Sequence, residues 1–457
     1  MKRRTLKMKE ENNRDEGLTV LEDVIKMAKS SGADAADAVL IDSLSLSVSR
    51  RLGKQETLER SESGDVGIRV LVGKKQAIVS STDRSPEALK DVIDQAVAMA
   101  RAVPEDAYCG IADPNQVSKN WQDLDLYDDK EISAEEMNEI ADKTEDAARS
   151  VKGITNSEGA EFGQSKNTIC YAASNGFAGS YKSSGFSLSA CVLAGEGLEM
   201  ERDYEYDASC YFEDLKSGEE IGLVAGERTV KRLNPQKGET KSLPVVFDKR
   251  LSGGLIGSLA SAASGSSVAR GTSFIKDKME KQIFHEAITI IEDPFIKRGH
   301  RSKAFDGEGI SPQKREIVKD GILQGWFLDL ASARQLGLQS TGNAARGTTS
   351  LPRPSVTNLY MQPGEKSSED LIAEIDEGFL VTDLMGMGVN LVTGDYSQGA
   401  AGFWIEKGEI AYPVSEMTIA SNLNHMWMNI AAANDLELRR GVDAPSLRVD
   451  GMMIAGA

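Results

Sequence analysis

The sequence predicts an α+β fold: an α/β N-terminal portion with mixed and antiparallel sheets, followed by a large β-rich C-terminal domain. Three observations carry this expectation. Capped helical segments alternate with strand patterns early in the chain, long stretches of alternation fill residues 153–212, and beyond about Gly238 glycine and hairpin signals take over. At 457 residues the chain has length for about three ordinary domains. The expected division is a disordered tail over 1–16, an α/β domain over 17–103, a connector over 104–130, a middle α+β domain over 131–237 and a β-rich domain over 238–457.

Each element has a local reason. Thr19 and Glu22 have capping-box spacing, and Leu21, Val24, Ile25 and Ala28 share one helical face, predicting a helix over about 18–30. Leu44, Leu46 and Val48 alternate with polar residues as in a strand, and GIRVLVGKKQAIVSS reads as a hairpin around Lys74 and Lys75. Ser85 followed by Pro86 opens a second helix, continued by Leu89, Val92, Ile93, Ala96 and Val97. The acidic stretch 104–130 has no period. Ser133 and Glu136 again have capping-box spacing and predict a helix to about Arg149. NTICYAAS, GFSLSACVLAG and YEYDASCYF alternate as antiparallel strands; helical periodicity then returns over 216–232, until Asn234 and Pro235 stop it. In the last domain Asp320-Gly321 and Lys407-Gly408 are hairpin turns, short helices are predicted at 329–336, 368–376 and 421–433, and LRVDGMMIAG is the final strand.

Composition narrows the function classes. Lys and Arg total 53 against 71 Asp and Glu, a formal charge of −18, so most of the surface repels a phosphate backbone. No run of Arg interleaved with aromatics builds a local basic patch, and nucleic-acid binding is not expected. The 43 glycines show no triplet period, which excludes a collagen-like chain. Cys109, Cys170, Cys191 and Cys210 stand far apart without a CxxC pair, as suits reduced thiols of a cytoplasmic protein. The start, MKRRTLKMKEENNRDE, has no apolar segment behind Arg3 and Arg4 and reads as a frayed tail, not an export signal. LSGGLIGSLASAASGSSVA is uncharged, but its serines and glycines make it too polar to span a membrane.

The search for catalytic motifs is mostly negative. Of the three histidines, His285, His300 and His425, no two lie within one helical turn. His285-Glu286 begins like a zinc-protease helix, yet Thr289 stands where the second histidine is needed. No serine has glycine at both flanking second positions, so a nucleophile elbow is absent. Ile68 replaces the first phosphate-loop glycine ahead of Gly73-Lys74, and Leu391 replaces the third glycine of a dinucleotide fingerprint after Gly386 and Gly388.

Two clusters stand out instead. Over 251–263, Leu251, Leu255, Ile256 and Leu259 share a helical face while Gly253, Gly254, Gly257 and Ser258 leave the rest nearly bare. Each interior glycine costs a helix about 1 kcal/mol against alanine, so such a helix needs a reason, either a small-residue core or close packing against another backbone. The second cluster is VNLVTGDYSQGAAGFWIEKGEIAYPV, where Gly394, Gly399 and Gly402 stand beside Asp395, Tyr396, Ser397 and Trp404. Its glycines permit bulges or close backbone approach, and a free strand edge there would take an extended peptide.

DGILQGWFLDLASARQLGLQSTGNAARG from Asp320, VNLVTGDYSQGAAGFWIEKGEIAYPVSEMTIASNL from Val389, the terminal LRVDGMMIAG and the early GADAADAVL together resemble the TldD/PmbA family of peptide-maturation metalloproteases, in its PmbA (TldE) branch. The likeness covers nearly the whole chain and makes 238–457 the peptidase-family domain. In the TldD branch a helix carries HExxxH, whose histidines bind zinc and whose glutamate can act as general base. Aligned by the preceding LSGGLI, that motif falls on Gly257, Ser258 and Ala262 here, and the family's C-terminal cysteine has no counterpart. The resemblance therefore implies a chain without metal or catalytic residues of its own, with zinc in a TldD-like partner and these three residues facing it. It implies cytoplasmic processing of modified peptides and degradation of small unfolded proteins as a heterodimer. Gly394, Asp395, Tyr396, Ser397, Gly399, Gly402 and Trp404 are expected along the peptide path, with Thr341, Asn343 and Arg346 as a polar loop beside it. Arg346 would hold a carboxylate or carbonyl, or serve as a structural ion pair. The alternatives are a peptide-binding or chaperone-like homodimer, and a lone peptidase using carboxylates such as Asp395.

Overall fold

The computed structural model describes residues 2–386 and 388–456, with the backbone alone for residues 2–15 and Leu198. The first half contains α1 (Lys2–Ser30), β1 (Ala35–Arg51), β2 (Lys54–Val72), β3 (Lys75–Ser81), α2 (Pro86–Ala102), α3 (Ala134–Ser150), β4 (Ile154–Ala173), β5 (Ala178–Ala194), β6 (Glu201–Ser209) and α4 (Gly218–Lys231). The strands form one six-stranded sheet in the order β3-β2-β1-β4-β5-β6, antiparallel at every pairing. Strands of the first expected domain and of the middle one are thus joined, because β1 pairs with β4 from Asp37↔Ala173 to Arg50↔Ala160.

Alternation along β1 sorts the two faces of this sheet. Ala36, Ala38 and Leu40 are buried with Leu21 and Val24 of α1 and Leu89 and Ile93 of α2. Val48 lies on the same face, packed with Met137 of α3 and Ile221 of α4. On the other face Val39, Tyr171 and Phe177 meet Phe305 of the C-terminal domain. Four helices therefore cover one side, and the C-terminal domain docks on part of the other.

Helix starts follow side-chain caps where these exist. The Ser85 hydroxyl accepts from the Ala88 amide at the start of α2, and Ser133 accepts from Glu136 at the start of α3. Thr19 does not begin a helix, since α1 runs through it from Lys2. The frayed tail expected over 1–16 falls largely outside the residues whose side chains are described. Residues 104–130 form no helix or strand, but they are not a free linker: Trp121 packs edge-on against Phe305 at 4.9 Å and Leu124 is buried.

In the C-terminal domain β7 (Lys241–Phe247) runs parallel to Glu377–Met385 and antiparallel to Leu447–Ala455. Beyond Glu377–Met385 lie Asp395–Glu406 and then Glu409–Asn422, whose end pairs back to Leu447–Ala455 and closes the sheet into a barrel. Asp320 and Gly321 (φ 48° and 78°) and Lys407 and Gly408 (φ 52° and 80°) are left-handed at both turn positions, as two-residue hairpins require. The helix predicted over 421–433 is shorter. It spans Leu423–Met428, after which Ile430–Ala432 becomes a strand paired with Leu447–Ala455. Pairing to the barrel overrides the helical tendency of the alanines there. α5 (Lys249–Ala262) leaves directly from β7, capped by Asp248 accepting from the Arg250 amide at 2.8 Å. Among the described residues no helix is long and apolar enough to cross a membrane.

Candidate functional site

α5 has two unlike faces. Ser252, Leu255, Ile256, Leu259 and Ala262 are buried in the C-terminal core. The other face carries Gly254 and Ser261, both exposed, with half-buried Gly257 and Ser258 between them. A Cβ added at Gly254 or Gly257 would meet no heavy atom within 4 Å, whereas one at Gly253 would lie 2.6 Å from the Val442 carbonyl oxygen. Packing inside the chain thus explains Gly253 and leaves Gly254 and Gly257 without an internal reason. The hydroxyls fold back onto the helix, Ser258 donating to the Gly254 carbonyl at 3.1 Å and Ser261 to that of Gly257 at 2.9 Å. The outward surface is smooth and nearly free of side chains.

Gly254 and Gly257, with Gly253 beside them, form one wall of a cleft of about 380 Å³ between β6, α4, α5 and the segment 437–444. Its charges are largely paired with one another. Arg439 donates to Asp207 at 2.9 Å, Arg228 pairs with Glu205 and Lys249 with Glu437. Arg250, 5% exposed, holds Asp203 at 2.9 Å and also donates to the carbonyls of Tyr204 and Thr382, each at 3.0 Å. Burial opposes the charge on Asp203, but Arg250 and Arg232 outweigh it and keep the carboxyl below its usual range. Arg440 lies 4.9 Å from the Tyr206 ring centre and donates to the Arg250 carbonyl at 2.7 Å. These cleft residues come from separate stretches of chain, and no spacing in the sequence announces them.

The three positions that the resemblance assigns to a metal motif do not suit zinc, which takes nitrogen, sulfur or carboxylate donors. Gly257 offers no side chain, the Ser258 hydroxyl is engaged by Gly254, and Ala262 is a methyl group with 0% exposure. Ala262, expected to face a partner, points into the core instead, because it continues the apolar row of Leu255 and Leu259. The His285 Nδ1 accepts from the Ala287 amide at 3.1 Å, and the His300 Nε2 sits 2.9 Å from the Ala208 carbonyl. Among the described residues no three His, Cys, Asp or Glu side chains are grouped to hold a metal ion.

The glycine-rich cluster lies in the barrel wall. Asp395–Glu406 is paired along one side with Glu409–Asn422; on the other side Glu377–Met385 covers Gly399–Glu406 and residues 388–390 cover Asp395–Ser397, so it has no free edge for a peptide. Gly402 sits at a register shift where a Cβ would fall 1.9 Å from the Leu380 oxygen, and at Gly399 one would lie 3.3 Å from Met385. Tyr396 and Trp404 are core residues. Asp395 and Ser397 are exposed at the start of the strand, just after the turn that ends at Gly394 (φ +83°). Hydrogen bonds from Thr393 at 2.6 Å and Asn422 at 3.0 Å hold the Asp395 carboxyl below its usual range. A short strap links this turn to α5: the Ser273 hydroxyl donates to the Ala262 carbonyl at 2.7 Å, and the Phe274 amide donates to Leu391 at 2.9 Å.

Thr341, Asn343 and Arg346 are placed apart from this strap. Asn343, 2% exposed, donates to Glu292 at 2.6 Å and to the Ser355 carbonyl at 3.2 Å, while Thr341 donates to its amide oxygen at 2.6 Å. Thr341 also borders a polar recess with Gln116, Gln313 and Gln339. The Arg346 guanidinium is paired with Asp37 of β1, which also binds Arg69 of β2 and accepts from the Tyr171 hydroxyl at 3.3 Å. Burial works against the Asp37 charge, yet the two arginines hold its carboxyl below the usual range. Next to them Asp306 accepts from the amides of Glu308 and Ile310, both at 2.9 Å, and Glu308 accepts from Leu330 at 2.8 Å. Burial, with the Asp306 charge beside it, pushes the Glu308 carboxyl up to about 8. This buried network fastens the C-terminal domain to the sheet, and Arg346 is its clamp.

Three family models match successive stretches of the chain. Residues 36–100 match the PmbA/TldA metallopeptidase domain 1, residues 127–233 its central domain and residues 240–456 its C-terminal domain. The metalloprotease PmbA of Escherichia coli O157:H7 is 39% identical over 442 residues, which cover 96% of each chain. A solved structure from Bacteroides thetaiotaomicron, described as a candidate modulator of DNA gyrase, superposes with a TM-score of 0.90 at 29% identity, over 97% of this chain and 99% of that one. TldE from Thermococcus kodakarensis shares the fold, with a TM-score of 0.85 at 23% identity, over 96% of this chain and all (100%) of that one. These matches, on an α+β architecture with a closed C-terminal sheet, place the chain in a family named for metallopeptidases. It belongs to the PmbA/TldD family.

Proposed function

We propose that this chain is the non-metal subunit of a cytoplasmic peptidase complex, working with a TldD-like chain that supplies the zinc. Together they process modified peptides and degrade small unfolded proteins. The observation that supports this reading is the outward face of α5. Gly254, Gly257, Ser258 and Ser261 present no free metal donor, and the two glycines weaken the helix without serving any contact inside the chain. A bare helical face lets another backbone come close and leaves width for a peptide between the two. The cleft beside it adds a wall of paired charges. Asp395 and Ser397 are the side chains of the glycine-rich cluster open to a passing peptide, with Tyr396 and Trp404 fixing the strand from behind. A closed chamber admits an extended chain and refuses a folded one, which accounts for the preference for unfolded substrates.

Gly257→Leu and Ser258→Leu test this directly. Open space surrounds Gly257, so the lone Gly257→Leu chain should melt no lower than the parent. Both variants should lose co-purification with a TldD-like chain, or lose peptide cleavage in the mixture. Unchanged assembly and cleavage in both would overturn the proposal. A peptide-binding homodimer without chemistry predicts instead that no cleavage appears with any partner.

A further inference from the structure

One cation in the cleft beside α5 has no carboxylate of its own. Lys216 lies 3.7 Å from Glu220, and Arg228, Lys249, Arg250 and Arg439 hold the carboxylates named above. Arg440 lines the same cleft, half-buried, and among the described residues no Asp or Glu pairs with its guanidinium. What holds it is neutral. The Arg250 carbonyl accepts from Nη1 at 2.7 Å, and the Tyr206 ring centre lies 4.9 Å from the guanidinium. Asp443, the acid three residues on, instead accepts from the amides of Arg440 at 2.9 Å and Gly441 at 3.0 Å. Burial pushes the Asp443 carboxyl up in spite of these bonds and of the Arg440 charge nearby.

The backbone under Arg440 is fixed on both sides. Gly441 (φ 78°) turns the chain, its carbonyl accepts from the Leu359 amide at 2.9 Å, and Asp443 ties the amides before and at the turn. With Nη1 on a carbonyl and the guanidinium beside a ring, the other donors of the fork are left for a planar anion. We propose that Arg440 anchors a carboxylate of the bound peptide, supplied by its C-terminus or by an Asp or Glu side chain. This rests on the reading of the outward α5 face as a wall of the peptide path.

Charge and distance support the choice of ligand. The chain carries a formal charge of −18, so an unpaired cation in a concave site is a local exception. Glu205, Asp207 and Asp443 line the same cleft and repel a doubly charged phosphate more strongly than a carboxylate. Arg440 is joined to α5 at Arg250, and Gly254 and Gly257 follow about 6 and 10 Å further along the helix. A peptide anchored at Arg440 therefore reaches the bare face within about three extended residues.

Fluorescence anisotropy with the full chain alone, at neutral pH, tests the anchor without any peptidase partner. The probes are an Ala/Ser hexapeptide with a neutral N-terminal dansyl label and a free C-terminal carboxylate, the same peptide as its C-terminal amide, and that amide with one internal Glu. The parent should bind at least one carboxylate-bearing peptide about tenfold more tightly than the neutral amide. Preference for the free terminus assigns the anchor to the chain end; preference for the internal Glu assigns it to a side chain. Arg440→Gln, which can still donate to the Arg250 carbonyl, should melt like the parent and lose the preference while still binding the neutral amide. Arg440→Lys, which keeps the charge without the fork, should fall between the two. A parent that binds all three peptides alike, or none, would overturn the inference. So would an Arg440→Gln chain that keeps the preference or weakens all three peptides equally. Cleavage after mixing with a TldD-like chain is read separately. Cleavage without a carboxylate preference would remove the anchor and leave the subunit reading standing, and a preference without cleavage would do the reverse.

Discussion

Asp37 has 0% exposure and is flanked by two guanidiniums, Arg69 from the neighbouring strand and Arg346 from the C-terminal domain. Replacing it with alanine strands two buried cations, and chemical unfolding should show a loss of about 3–5 kcal/mol. An unchanged midpoint would mean that water reaches the pair. Glu308 behaves in the opposite sense. Its folded-state carboxyl is raised to about 8 from an ordinary 4.5, so its contribution is most favourable below the unfolded value and is lost as pH rises through the folded one. Glu308→Gln should therefore stabilise the chain on the order of 2 kcal/mol near pH 8 and change little near pH 5, as read from melts at the two pH values. A flat difference across that window would remove the buried-carboxyl account. Neither residue was legible beforehand. Asp37 sits in the recognisable GADAADAVL, but nothing local says that a charge in this strand awaits Arg346, hundreds of residues later.

The elements were legible where local chemistry fixes them. Ser85 with Pro86 started a helix, and Asp320-Gly321 and Lys407-Gly408 turned hairpins, because caps and left-handed turn residues act within a few positions. Strand edges were not, because alternation shows which residues form a strand and not which strands flank it. Asp395–Glu406 was read as a strand that would take a peptide only at a free edge, and it is covered on both sides. The bare composition of α5 was visible, and its geometry sharpens the meaning. Gly254→Ala and Gly257→Ala should each raise the stability of the isolated chain by about 0.5–1 kcal/mol, since both Cβ positions are open. A thermal melt checks this. A loss of stability would instead show that these glycines are needed inside the chain.

At the scale of the whole molecule, one sheet carries four helices on one face and the barrel-bearing domain on the other. The C-terminal resemblance foretold the family, while the joining of the N-terminal and middle strands into one sheet emerged only from pairing over long separations. The arrangement places the smooth face of α5 and its cleft beside β6, at one edge of the sheet. On the proposed reading this α5 surface receives metal chemistry from outside. Peptide cleavage by the purified chain, measured alone and after mixing with a TldD-like chain, with bound zinc quantified in each component, tests it most directly. The expected result is no zinc and no cleavage alone, with zinc carried by the added chain and cleavage appearing on mixing. Stoichiometric zinc and cleavage in this chain by itself would contradict it.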